Sequence, residues 1–319
     1  MSRTFKVPPN GIWAPAVTLF NPETDELDLD AQAKYYSYLS KTGLAGLVIL
    51  GTNAEQFLLT REERKALIAT ARKATGPDFP IMAGCGMHST KQVLELLSDA
   101  AEAGADSALV LPPAYFGKQT TPAVIDRFFD EVAEKTPLPI VIYNFPIVCN
   151  GIDLDSGTIA KLAKKHESIV GVKLTCGAVA KIVRLSAELP AEKFATYGGQ
   201  SDFLLGGLTS GSAGCIAAFA NVFPRVTTKI YTLHAEGKYQ EALELHKKAA
   251  IAEQATKAGI ATIKYAASVF TAPRAGLQGQ ERLFEPRSPY LPASEDQKKT
   301  VHSLMSELNK IEEELAASS

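Results

Sequence analysis

Short unbroken apolar runs alternate along the chain with longer stretches in which apolar residues recur every three or four positions. The runs lie at 12–20, 46–50, 80–84, 107–111, 139–143, 169–174, 194–197 and 214–218. They are short for buried helices and lack the in–out alternation of a half-exposed strand, so each reads as a strand buried on both faces. Helical periodicity fills the gaps at 30–42, 61–75, 91–103, 122–135, 156–165, 178–188 and 201–208. Thr60-Arg-Glu-Glu63 has the form of a capping box, and Pro122 directly after Thr121 suits a first helical turn.

Repeated strand–helix units joined by right-handed crossovers predict an α/β chain folded as a closed (β/α)₈ TIM barrel, whose chemistry sits on loops at the carboxyl ends of the strands. An open doubly wound sheet is the structural competitor. Its G-x-G-x-x-G after the first strand is missing, since Gly84-Cys-Gly86 follows the third strand and lacks a third glycine. From Pro224 the strand signals stop, and helical patterns follow at 239–258, 262–270 and 294–317 around a proline-rich loop at 271–292. The expected division is a barrel over 1–230 and an appended C-terminal helical region over 231–319.

One charged residue interrupts the apolar runs: Lys173, in Ile169-Val-Gly-Val-Lys-Leu-Thr175. Burial of an unpaired ammonium favours the neutral amine, the nucleophile that a Schiff-base aldolase needs. The alternative is that Val172 and Leu174 face the core while Lys173 reaches solvent or a carboxylate. In a barrel, the segments just past the strands share one mouth. Strand two ends in Gly51-Thr-Asn-Ala-Glu55, strand five in Tyr143-Asn-Phe-Pro146, and strand seven in Gly198-Gly-Gln-Ser201. Thr52 and Asn53, with their backbone N–H groups, suit a carboxylate, or a tight turn that caps the next helix. Tyr143 suits a proton shuttle, or packing with a wet hydroxyl. Gly198 and Gly199 permit close backbone approach, or mark a turn. Gln200 and Ser201 are candidates for contacts to substrate hydroxyls, with Ser201 equally suited to capping a helix. Cys176 reads as pocket lining or as a small buried hydrophobe.

Composition narrows the class of chemistry. Net charge is −2 with acids and bases dispersed, so neither a nucleic-acid surface nor a membrane patch is expected, and a small-molecule substrate fits better. Cys85, Cys149, Cys176 and Cys215 form no C-x-x-C pair, and the five histidines show no paired spacing. These patterns predict no metal, no disulfide scaffold and a reducing, cytoplasmic setting. Residues 1–30 lack a basic start followed by an apolar stretch, and no targeting or transmembrane segment is read.

The order and spacing of these segments over residues 10–275 resemble the dihydrodipicolinate synthase and N-acetylneuraminate lyase family of pyruvate-linked class I aldolases. The likeness rests on Gly51-Thr-Asn-Ala-Glu55 with Thr60-x-x-Glu63-Arg64, on Tyr143-Asn-Phe-Pro146, on Gly171-Val-Lys173 and on Ala220-Asn221. It implies the barrel, a Schiff-base lysine at Lys173, a phenolic proton relay at Tyr143 and carboxylate contacts from Thr52 and Asn53, with no cofactor. It also implies a role for Tyr115, in Pro112-Pro-Ala-Tyr115, which matches a tyrosine that members contribute across a subunit contact. Homo-oligomers built as dimers of dimers go with the family.

Two departures bear on the substrate. Where dihydrodipicolinate synthases place an arginine for a second carboxylate, this chain reads Ile147-Val-Cys-Asn-Gly151 and is one residue longer, which speaks against lysine biosynthesis. Ala54 stands where the family usually has glycine. In these features the chain is similar to the eukaryotic branch containing 4-hydroxy-2-oxoglutarate aldolase and the fungal 2-keto-3-deoxy-L-galactonate aldolases of galacturonate breakdown. The expected reaction is cleavage of the sugar acid to pyruvate and L-glyceraldehyde. The alternatives are 4-hydroxy-2-oxoglutarate aldolase, giving pyruvate and glyoxylate, and a non-catalytic pyruvate-binding barrel. A substrate with a second carboxylate calls for a basic group near the mouth, and Lys118 is the loop candidate.

Overall fold

The computed structural model describes residues 4–318. Eight parallel strands pair in sequence order, and the last closes on the first: β1 (Gly11–Pro15), β2 (Gly46–Ile49), β3 (Ile81–Gly84), β4 (Ser107–Val110), β5 (Ile140–Asn144), β6 (Ile169–Leu174), β7 (Ala195–Gly198) and β8 (Gly214–Ile216). Each is followed in the chain by a helix: α1 (Leu29–Leu39), α2 (Arg61–Thr75), α3 (Thr90–Glu102), α4 (Pro122–Lys135), α5 (Ser156–Lys165), α6 (Val179–Glu188), α7 (Leu204–Thr209) and α8 (Pro224–Ala235). Beyond them come α9 (Tyr239–Glu253), α10 (Ile260–Phe270) and α11 (Glu295–Ala317). The (β/α)₈ barrel with a C-terminal helical region is the observed fold.

Two apolar layers explain why the strands read as continuous runs. Trp13, Val48, Met82, Val141, Tyr197 and Ile216 fill the lumen, while Ile12, Leu47, Ile81, Ile140 and Val172 pack outward under the helices. Each strand thus buries both faces, and polar alternation never appears. The helix starts follow their local signals: Thr60 and Glu63 form the reciprocal capping box, and Thr121 caps α4 with Pro122 in its first turn.

β1 is shorter than the apolar run that announces it. Past Ala16, whose amide still donates to the Val48 carbonyl of β2 at 3.0 Å, side chains take over from the neighbouring strand: the Val17 amide donates to Asn221 Oδ1 at 3.2 Å and the Leu19 amide to Gln32 Oε1 at 2.8 Å. Asn221 in turn donates to the Pro15 carbonyl at 2.9 Å. Residues 16–20 stay buried, so the run remains apolar although the ladder has ended. The last helix is tied to the barrel through a buried acid. Glu312 on α11 accepts from the amides of Arg225 and Val226 at 3.0 and 2.8 Å, satisfying N–H groups that the start of α8 leaves without helical partners.

Candidate active site

Lys173 owes its direction to one extra residue. Across the ladder Ile140 pairs with Ile169, but Val141 pairs with Gly171, so Val170 has no counterpart on β5. Val170 packs in the lumen, whereas Val172 and Leu174 pack in the outer layer. Strict alternation from Val170 sends Val172 and Leu174 inward and Lys173 out; the bulge reverses that phase. Lys173, 2% exposed, therefore comes to lie beside Tyr143, its partner in the ladder. A Cβ at Gly171 falls 2.7 Å from the Ala195 carbonyl oxygen, so any side chain displaces the bulged backbone. Gly171→Ala is expected to lower kcat about 10- to 100-fold, the scale of an ångström-sized misplacement, with a far-ultraviolet circular dichroism spectrum unchanged from wild type. An unaltered kcat removes the bulge from the account.

Three polar groups meet at the lysine. Its Nζ donates to the Tyr143 hydroxyl at 3.3 Å, and that hydroxyl lies 3.3 Å from Thr52 Oγ1. The same nitrogen stands 4.3 Å from the centroid of the Tyr143 ring, which stacks on Phe145. Thr52 and Asn53 open a short turn (Thr52–Ala54), which closes through the Ala54 and Glu55 amides on the Gly51 and Thr52 carbonyls, bonds in which the Thr52 and Asn53 amides at its start take no part. Leu50 (φ 67°) and Glu55 (φ 57°) bracket this turn, both in the left-handed region that non-glycine residues seldom occupy. Buried Asn144, next to Tyr143, donates to Asp153 and accepts from the Leu154 amide, while Lys181 of α6 holds Asp153. The strand-five loop is anchored in this way from behind.

On the opposite side, Gly199 lies against the end of β6. A Cβ there falls 2.1 Å from Thr175 Oγ1, so the two segments lie too close for any side chain at this position. Thr175 itself is buried, two residues past Lys173, and among the described residues its hydroxyl has no hydrogen-bond partner. Sequence reading passed it over, because a threonine closing an apolar strand carries no signal of its own. Ser201 is 3% exposed, and its hydroxyl and amide donate to buried Glu253 at 2.6 and 3.2 Å. A direct substrate contact from Ser201 thus gives way to anchoring of the loop, and α7 starts at Leu204 without a Ser201 cap. Burial pushes the Glu253 carboxyl up, with the Lys257 ammonium acting against it. Gln200 accepts from Lys257, which also lies 2.9 Å from Asp202. Lys257 brings a basic group to the strand-seven loop from the C-terminal region, where linear sequence gave only Lys118. The latter is exposed on a turn past β4 (Gly117–Gln119).

Tyr115 is 73% exposed and stands 5.3 Å from Phe116 and 5.9 Å from His88, whose ring stacks on Phe57. Among the described residues its hydroxyl makes no hydrogen bond within the chain. Burial lowers the His88 imidazole. Cys176 packs against the outer apolar layer, in keeping with the small-hydrophobe reading. Among the described residues no three His, Cys, Asp or Glu side chains form a group able to hold a metal ion, and no helix is long and apolar enough to cross a membrane.

Comparison with known proteins adds the lineage. A putative mitochondrial 4-hydroxy-2-oxoglutarate aldolase from Coccidioides immitis is 62% identical over 307 residues, 96% of this chain and 98% of its own length. An L-threo-3-deoxy-hexylosonate aldolase from Hypocrea jecorina is 38% identical over 274 residues, 82% of this chain and 87% of its own. A crystal structure of a putative dihydrodipicolinate synthase family protein from Coccidioides immitis superposes with a TM-score of 0.93 at 59% identity, covering 98% of this chain and 100% of that one. These relatives overturn the cytoplasmic expectation, since the 62% relative is named as mitochondrial. Free thiols separate reducing from oxidising compartments and do not choose among the reducing ones. The 62% relative carries the name of the 4-hydroxy-2-oxoglutarate alternative, and the 38% relative that of a sugar-acid aldolase. The model of the dihydrodipicolinate synthetase family matches residues 8–308, and the chain belongs to that family as a pyruvate aldolase, a carbon–carbon lyase.

Proposed function

We propose that this protein cleaves 4-hydroxy-2-oxoglutarate to pyruvate and glyoxylate through a Schiff base on Lys173, and that it works in mitochondria. The contact that carries the chemistry is buried Lys173 Nζ at 3.3 Å from the Tyr143 hydroxyl. The substrate reading is supported by the 62% identity over nearly the whole chain to a relative named as a putative 4-hydroxy-2-oxoglutarate aldolase.

In this reading the C1 carboxylate docks on Thr52 and Asn53, and the neutral Lys173 amine adds to the C2 ketone. The carbinolamine loses water to give a protonated imine, which is the electron sink. The Tyr143 hydroxyl takes the proton of the C4 hydroxyl as it passes its own to water in the mouth, the C3–C4 bond breaks, and glyoxylate leaves. The enamine picks up a proton at C3, and hydrolysis of the resulting imine frees pyruvate and Lys173. Gly199 lets the backbone approach the site, Ser201 fixes its loop, and Gln200, Lys257 and the unpartnered Thr175 hydroxyl receive the second carboxylate.

The sugar-acid reading keeps the support of two relatives named for a 3-deoxy-hexylosonate, at 38% and 34% identity. Release of pyruvate from 4-hydroxy-2-oxoglutarate and from 2-keto-3-deoxy-L-galactonate, followed with lactate dehydrogenase, separates the two. The first is expected to win in kcat/KM by about 10²-fold, since donors built for a carboxylate are left unpaired by the other tail. The reverse order transfers the assignment to the sugar acid, and turnover of neither leaves a binding barrel. The rings of Phe57, Tyr115 and Phe116, exposed together at the mouth, also suit cover by a second copy of the chain. Tyr115 then reaches the Tyr143 of that copy, within a homo-oligomer built as a dimer of dimers.

A further inference from the structure

The C-terminal region sends one buried cation to the mouth of the barrel, and the reaction above has no use for it. Lys264 of α10 donates to Glu55 Oε1 at 2.7 Å, and the two side chains are 0% and 2% exposed. The other carboxylate oxygen of Glu55 accepts from the Arg287 amide at 2.8 Å. Lys264 donates further to the Glu285 carbonyl at 2.8 Å and lies 4.7 Å over the Phe20 ring, which Arg287 covers at 5.0 Å. A buried ion pair is a poor device for stability alone, because desolvation offsets the attraction, and an apolar pair often serves as well. What this pair does have is a specific target. Glu55 holds a left-handed backbone conformation at the end of the Thr52–Ala54 turn, and Thr52 Oγ1 meets Tyr143.

We propose that Lys264 is a positioning residue for the oxo-acid carboxylate: by clamping Glu55 it holds Thr52 and Asn53 in the conformation that receives the substrate. The inference rests on the assignment of that turn to the substrate carboxylate. A pH dependence follows from the same groups. Burial pushes the Lys264 ammonium down to about 8, with Glu55 and, more weakly, Glu285 acting against it. Deprotonation above that pH leaves Glu55 buried against a neutral amine, its other bond coming from the uncharged Arg287 amide. Substrate binding therefore weakens as pH rises through about 8.

Two readouts on the full-length protein test the clamp, using Lys264→Met and the double variant Lys264→Met/Glu55→Gln, which leaves no buried charge should the single variant not fold. Amide hydrogen exchange of the peptide covering residues 51–58 is independent of imine chemistry. It is expected to accelerate about tenfold or more in the folded variants, the mark of local opening. The pyruvate concentration that half-saturates borohydride trapping on Lys173 is expected to rise about 10- to 100-fold at pH 7, with the trapping rate at saturation unchanged. The wild-type value is expected to climb above pH 8 while that of the double variant stays flat. Unchanged exchange at 51–58, or an unchanged half-saturating concentration, overturns the clamp. Absence of any adduct in wild type sinks the Schiff-base reading, and the exchange result then judges the clamp alone.

Discussion

Lys173→Ala is expected to abolish both turnover and covalent capture of pyruvate. The lysine is sealed in the barrel at 2% exposure, with its Nζ beside the Tyr143 hydroxyl and ring. Nothing in alanine replaces the electron sink, so the loss in kcat is expected to reach at least about 10⁴-fold, the range seen when a covalent nucleophile is removed. Incubation with pyruvate and sodium borohydride, followed by digestion and mass spectrometry, reads the chemistry directly. Wild type is expected to carry the reduced adduct on Lys173 and none on Lys264, which is equally buried but held by Glu55. Lys173→Met, closer in volume, is expected to fold with a Tm at or above wild type, because it removes a buried amine from an apolar lumen. Retained turnover in either variant, or an adduct on a different lysine, ends the Schiff-base assignment at this position.

The barrel was legible because a closed parallel sheet buries both faces of each strand, which turns every strand into an apolar run. The limits of that signal show past β1, where Val17 and Leu19 continue the apolar run but donate to the side chains of Asn221 and Gln32. Burial is written in local composition, whereas the partner that satisfies the backbone is chosen by the tertiary fold. Lys173 was visible as a charge in an apolar strand, yet its direction rests on the Val170 bulge, which no periodicity announces. Thr52 was legible just past a strand and Tyr143 at the end of one, and their 3.3 Å contact needs only barrel closure. Ser201 and Gln200 were harder, since their partners Glu253 and Lys257 lie more than fifty residues on. The Lys264–Glu55 pair spans 209 residues and was invisible for the same reason. What sequence could not supply is concentrated where the C-terminal helices meet the mouth.

Tyr143→Phe is the variant that separates imine formation from bond cleavage. The substitution removes one oxygen that lies 3.3 Å from both Lys173 Nζ and Thr52 Oγ1, and it leaves the ring stacked on Phe145. Because the ring fills the same lumen space, the fold and the position of Lys173 are expected to persist. Loss of a placed acid–base group costs about 10²- to 10⁴-fold, so kcat for aldol cleavage is expected to fall by that amount. Addition of the amine to the ketone does not need the hydroxyl to take the C4 proton. Borohydride is therefore expected still to trap pyruvate on Lys173, more slowly than in wild type. Thr52→Val, which removes the group that orients the phenol, is expected to fall between the two in kcat and to raise KM as well. A Tyr143→Phe enzyme that cleaves at the wild-type rate assigns the proton to another group. One that neither cleaves nor traps moves the role of Tyr143 forward to imine formation itself.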